Sequence, residues 1–159
     1  MLHAVYVVSV MLLAPALCVI IAYAKQSKTA KPPLIPLLCR WFVFWSIGIR
    51  SATGGLMQML NPSYTERLLN VGTENMLIIQ ELGFANLAIG VIAMVSLFVP
   101  AFRKPAAAAG GIFLMGAAIL HLMRLSVIEF GEVMSLAGDL LIVAIAVLCL
   151  TYREKAQQT

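Results

Sequence analysis

Charge is scarce in this chain: charged side chains make up 11% of its 159 residues, where an ordinary soluble domain carries roughly 25%. That scarcity excludes water as the main solvent of the folded protein. Histidine is nearly missing too, with only His3 and His121, so a bis-histidine haem site within one bundle has no ligand pair to draw on. The three cysteines, Cys18, Cys39 and Cys149, form no CxxC pair and no Cys/His cluster with metal spacing. This argues against structural zinc and thiol chemistry, and reads each cysteine as a small buried hydrophobe. No H-E-x-x-H, G-x-S-x-G or phosphate-binding glycine loop occurs, so nucleophilic, metal and nucleotide chemistries lack their motifs. The net charge of +4 does not imply nucleic acid, because the basic residues sit in short clusters beside apolar runs, with no basic stripe and no interleaved aromatic platform.

What the chain has instead is apolar length. Hydrophobic residues make up 62% of it and the mean hydropathy is +0.96. Most apolar runs reach the roughly 20 residues needed to cross about 30 Å of hydrocarbon. The pattern predicts an all-α, polytopic membrane bundle, a single transmembrane domain over residues 1–159 with spans at about 2–24, 37–60, 76–99, 106–127 and 133–150 and a polar tail at 151–159. Ala22-Tyr23-Ala24 resembles a signal-peptidase site, but the positive n-region of a secretory signal is missing and the apolar run is too long for one. Pro15 is expected to kink the first span, with neighbouring helices offsetting the cost. Pro32 and Pro33 close the connector from Lys25, Pro100 stops the third span, and Arg103-Lys104-Pro105 makes a tight turn. Between the second and third spans, Ser63-Tyr64-Thr65-Glu66 fits a capping box and predicts a short interfacial helix. Glu129-Phe130-Gly131-Glu132 reads as a second tight turn.

Five spans put the termini on opposite sides, and the cations distinguish the sides. Lys25, Lys28, Lys31, Arg40, Arg103, Lys104, Arg153 and Lys155 gather on one side with Glu154, whereas the other carries Glu66, Arg67, Glu74, Glu129 and Glu132. The positive-inside rule makes the first side cytoplasmic, so the N-terminus faces out and the C-terminus in, across a cell inner (plasma) membrane. Small residues must let the backbones approach, because lipid removes the hydrophobic drive between helices. Gly48, Ser51, Ala52 and Gly55 on the second span, Asn86 and Gly90 on the third, and Ala107 and Gly111 on the fourth are expected to form packing seams within the chain. A homo-oligomer face is the other reading of these seams.

The ionisable groups Arg50, Glu81, His121, Arg124 and Asp139, together with Asn86, are the candidate site. An ionisable group at a helix centre costs roughly 2.5–3.5 kcal/mol even on lenient insertion scales, so these residues should face inward and find one another. At about 1.5 Å per residue they concentrate in the outer half, at the level of Gln58 and Gln80. His121 and Arg124, three residues apart, share a helix face. The pattern predicts a polar ligand-binding pocket or network open toward the extracytoplasmic side. Arg50 and Glu81 are expected to form an ion pair or network fixing helix register, with Asp139 capping a turn or pairing with Arg124. Arg124 is also close enough to the surface to snorkel.

From Arg40-Trp41-Phe42-Val43-Phe44-Trp45 through Gly54-Gly55-Leu56 and Asn61-Pro62, and again at Gln80-Glu81-Leu82-Gly83-Phe84-Ala85-Asn86 and Gly90, the chain resembles an uncharacterised family of small bacterial integral membrane proteins. More distantly it resembles the DoxX-like four-helix membrane proteins, over residues 37–150. That resemblance implies a four-helix core with the first span as an N-terminal addition. It also marks Arg50, Glu81 and Asn86 as the positions to test, and implies a link to quinone-dependent membrane redox complexes. Three functions follow as expectations: an accessory or small-molecule-binding bundle without a catalytic signature, a component of a quinone-linked oxidoreductase with quinone as the cofactor, and an oligomeric transporter or channel. The cytoplasmic halves of the spans are almost wholly apolar, which disfavours a continuous polar path within one chain. The expected partners are the lipid bilayer and either a second membrane protein or further copies of the chain.

Overall fold

A computed structural model of the protein describes residues 2–25, 33–69, 75–123 and 130–152. Among these residues the fold is all-α. Helix α1 covers residues 2–24 and α2 covers Leu34–Leu60; then come a short α3 at Pro62–Leu69, α4 at Met76–Val95, a 3₁₀ turn at Pro100–Phe102, α5 at Arg103–Met123 and α6 at Phe130–Thr151. Five of these helices are long and apolar enough to cross a membrane. Their outward faces carry Leu17, Ile20, Leu77, Ile112 and Leu120, each more than half exposed, as suits a multi-pass membrane protein whose outer solvent is lipid.

Three spanning helices start about three residues earlier than the sequence predicts, α6 at Phe130 among them, and the other two do so for one reason. Helix α2 begins at Leu34 and α5 at Arg103, each about three residues earlier than predicted, and each carries a proline, Pro36 or Pro105, in its first turn. A first-turn residue has no N–H obligation within the helix and its φ suits proline, so these prolines open helices instead of delaying them. Arg103-Lys104-Pro105 is accordingly helix, not turn. Helix α4 ends at Val95, four residues before the predicted end, and Ser96 donates its hydroxyl back to the Ala93 carbonyl at 2.6 Å. The expected interfacial helix is present as α3, but it starts on Pro62, ahead of the predicted cap at Ser63.

Pro15 organises the crossing of α1 and α2. It lacks an N–H, so the carbonyl four residues back, that of Met11, has no donor from its own helix. Residues Ser9–Leu13 take a π-helical turn, with Ala14 N–H bonding to the Ser9 carbonyl. Ser46, fully buried, donates its hydroxyl to the orphaned Met11 carbonyl at 3.0 Å. Ser46 lies in a second π-helical stretch, Val43–Ile49, so the two irregular segments face each other. A neighbouring helix therefore satisfies the group that proline leaves open, as the hydrocarbon environment requires.

Small residues set the helix spacing. Along α2 and α4 the pairs run antiparallel: Gly48 against Met94, Ala52 against Gly90, Gly55 against Leu87, and Gly83 against Gln58 and Met59. A Cβ added at Gly90 would lie 2.5 Å from the Ala52 amide nitrogen, and one at Gly55 2.6 Å from the Gly83 carbonyl oxygen. The two backbones are in direct contact. Gly111 faces Ala146 across α5 and α6. These seams lie within the chain, as the small-residue spacing predicts. Val43 and Ile47, each 1% exposed, place the middle of α2 at the centre of the core, with Ile47 packed over Gly110 of α5.

The cysteines depart from their expected role. Cys39 on α2 and Cys149 on α6 form a disulfide across 110 residues with their Cα atoms 5.5 Å apart. Only Cys18 is a free thiol among the described residues. Reading all three as inert hydrophobes fails for Cys39 and Cys149 because pairing depends on which faces of α2 and α6 meet, and linear spacing does not carry that information.

Candidate polar site within the bundle

The deepest charge in the bundle is Asp139. Its side chain is fully buried on α6, and its Oδ1 accepts a hydrogen bond of 2.7 Å from an Arg50 amino group on α2. The Arg50 side chain is itself 21% exposed, so the pair is only partly shielded. The Asp139 Oδ2 oxygen is buried and has no hydrogen-bond partner among the described residues. His121 on α5 lies near enough for its charge to act on Asp139. Three helices thus converge on one ion pair, about ten residues from the ends of α2 and α6 that lie opposite the cation-rich end.

One turn further along α2, Thr53 donates to the Ile49 carbonyl at 2.7 Å and contacts the Arg50 carbonyl. Its hydroxyl also hydrogen-bonds the Tyr6 hydroxyl of α1. Gly138, next to Asp139, gives room to Met11, whose sulfur would lie 2.8 Å from an added Cβ. Helix α1 can therefore approach α6 closely and close the remaining side of the cluster.

The sequence-predicted residues separate into groups. Arg50 and Asp139 come together in an ion pair, and His121 on α5 lies within electrostatic reach of Asp139. Asn86 does not join them: it is buried in the α2–α4 seam and donates to Gln58 Oε1 at 2.8 Å, while Gln80 donates to the Met59 carbonyl at 3.2 Å. Asn86 is thus part of a second polar contact that locks two helices. Glu81 is exposed on α4, and the expected Arg50–Glu81 pair is replaced by Arg50–Asp139. A helix turns about 100° per residue, so with Asn86 and Gly83 facing α2, Glu81 falls on a different face of α4. Arg124 and Glu129 lie outside the described residues, and Phe130-Gly131-Glu132, expected to turn with Glu129, are instead the first helical residues of α6. Sequence reasoning overlooked Tyr6 and Thr53. Two hydroxyls in otherwise apolar spans, each in need of a partner, were the available signal.

The arrangement can bind an acceptor oxygen at Arg50 and can hold or pass a proton among Asp139, His121 and a bound water. No group of three His, Cys, Asp or Glu side chains able to hold a metal ion occurs among the described residues.

Five lipid-length helices around a buried Arg–Asp pair define an all-α bundle of membrane-spanning dimensions with an internal polar cluster. The chain belongs to DUF6790, a family of unknown function, whose pattern it matches over residues 5–159. No curated protein and no solved structure matches it. The family match supports the uncharacterised-family part of the resemblance, and the DoxX likeness rests on the sequence motifs alone.

Proposed function

We propose that this chain is a multi-pass bacterial inner-membrane protein, N-terminus out and C-terminus cytoplasmic, that serves as an accessory bundle holding a small lipid-soluble molecule at Arg50, His121 and Asp139. The observation that carries this reading is the partly exposed side chain of Arg50 beside a fully buried carboxylate with one oxygen unpartnered. A buried ion pair adds little net stability over apolar packing, and intramembrane charges mark ligand or ion sites. The Arg50 N–H groups beyond the one bonded to Asp139 suit a carbonyl or other acceptor oxygen, and Asp139 Oδ2 suits an O–H, from water or from the ligand.

Native mass spectrometry of the full chain, released gently from its membrane, tests the reading. Wild type should retain a small molecule that the double variant Arg50→Met/Asp139→Leu, which removes both charges together, does not. Identical bound species in the two proteins would overturn it. The membrane-oxidoreductase reading draws on the same cluster, because Asp139 and His121 are titratable groups set together within the bundle. A retained quinone would favour that reading over a purely accessory role.

A further inference from the structure

The Cys39–Cys149 disulfide lies about three helical turns from Arg50 along α2, at the cation-rich end of the bundle and in the wall of a separate cavity. This cavity, about 370 Å³, is lined by Pro36, Cys39, Pro100, Ala101, Arg103, Lys104, Cys149 and Tyr152. Among the described residues its charged lining groups are Lys104, which is exposed, and Arg103, which has a partner of its own. Both cysteines reach the cavity while remaining 5% and 4% exposed. A small molecule can therefore approach the sulfurs, whereas the active-site loop of a protein reductant is held off. The topology proposed above assigns this cation-rich end to the cytoplasm, where a static cross-link would be unusual and reducible pairs are catalytic or redox-sensing.

We propose that this cavity is a thiol–disulfide exchange site for a small anionic thiol. The thiolate of the first thiol attacks one cysteine sulfur and forms a mixed disulfide as the Cys39–Cys149 bond breaks. The other cysteine leaves as a thiolate beside Arg103 and Lys104, whose positive charge favours the ionised leaving group. A second thiol attacks the mixed disulfide and releases the small molecule as its own disulfide. Two small thiols are oxidised, one protein disulfide is reduced, and the two protons given up by the small thiols end on Cys39 and Cys149. The reaction runs in either direction, according to the poise of the surrounding thiol pool. Opening the cross-link would release α2 from α6 at this end, so the redox state of the pair would be felt along both helices.

The oxidised full chain, held in lipid nanodiscs with both faces open, tests the proposal whatever its orientation in a cell. Its reduction by 2-mercaptoethanesulfonate, 2-mercaptoethanol and cysteamine is followed by quenching with an alkylating agent and measuring intact mass, with rates compared at equal thiolate concentration. The anionic thiol should react about threefold faster than the neutral one, and the cationic thiol slowest, because the exposed Lys104 cation faces each incoming charge. Lys104→Gln, a change at an exposed side chain, should remove most of that preference without lowering thermal stability. Equal rates for the three thiols, a preference that survives Lys104→Gln, or failure of the pair to oxidise at all would overturn the proposal. None of these outcomes bears on the Arg50 site, whose test reads a different ligand at a separate place in the bundle.

Discussion

At the scale of single residues, Asp139 is the most exacting position in the protein. Its charge is acceptable inside the bundle because Arg50 donates to it at 2.7 Å. Removing one member strands the other, and breaking buried pairs costs several kcal/mol. Because Arg50 is 21% exposed, the loss should lie at the lower end, about 2–3 kcal/mol for Asp139→Asn. The double change Arg50→Met/Asp139→Leu should recover most of it. Thermal unfolding of wild type, Arg50→Met, Asp139→Leu and the double variant in one detergent measures the coupling, and additive losses would show that the pair does not interact. That such residues need partners was legible in the sequence, from the price of a charge in hydrocarbon. Which partner Arg50 takes was not, because Glu81 and Asp139 are equally acidic and only the rotation of α4 and α6 about their axes separates them. Ser46 shows the same limit: Pro15 announces an orphaned carbonyl at Met11, but only the crossing of α1 and α2 shows which hydroxyl satisfies it.

At the scale of helices, the backbone contact between α2 and α4 makes a prediction that distinguishes glycines of similar appearance. Gly90→Ala places a methyl group against the Ala52 backbone and must push the two helices apart, losing packing and straining the Asn86–Gln58 bond. Overpacking of this kind costs about 1–3 kcal/mol. Gly54→Ala, on the other helix of the seam but with nothing within 4 Å of the added carbon, should be neutral or stabilising by up to about 1 kcal/mol through helix propensity. Equal melting shifts for the two variants would count against the packing. The four-residue spacing of small residues made the seam visible in sequence. The different standing of Gly54 was not visible, because it follows from the face that each glycine presents to α4.

At the scale of the whole molecule, the charge bias predicts orientation. A reporter fused after Thr159 should be active only if it is of the kind that works in the cytoplasm, and the reverse result would invert the proposed topology. The sequence by itself determined the number of spans and the charge asymmetry between the bundle's two ends. Apolar length and cation placement are properties of consecutive residues, and each acts through the surrounding solvent without reference to the rest of the fold. The prolines of the first turns were misjudged at the same local level, since the sequence shows a proline's position but not whether a helix has already begun there. Only the tertiary structure decided that Arg50 pairs with Asp139, that Asn86 joins a different contact, and that Cys39 and Cys149 pair across 110 residues. All three depend on how each helix is rotated about its axis. That rotation is set by close packing of small residues between helices, not by the periodicity of any one of them.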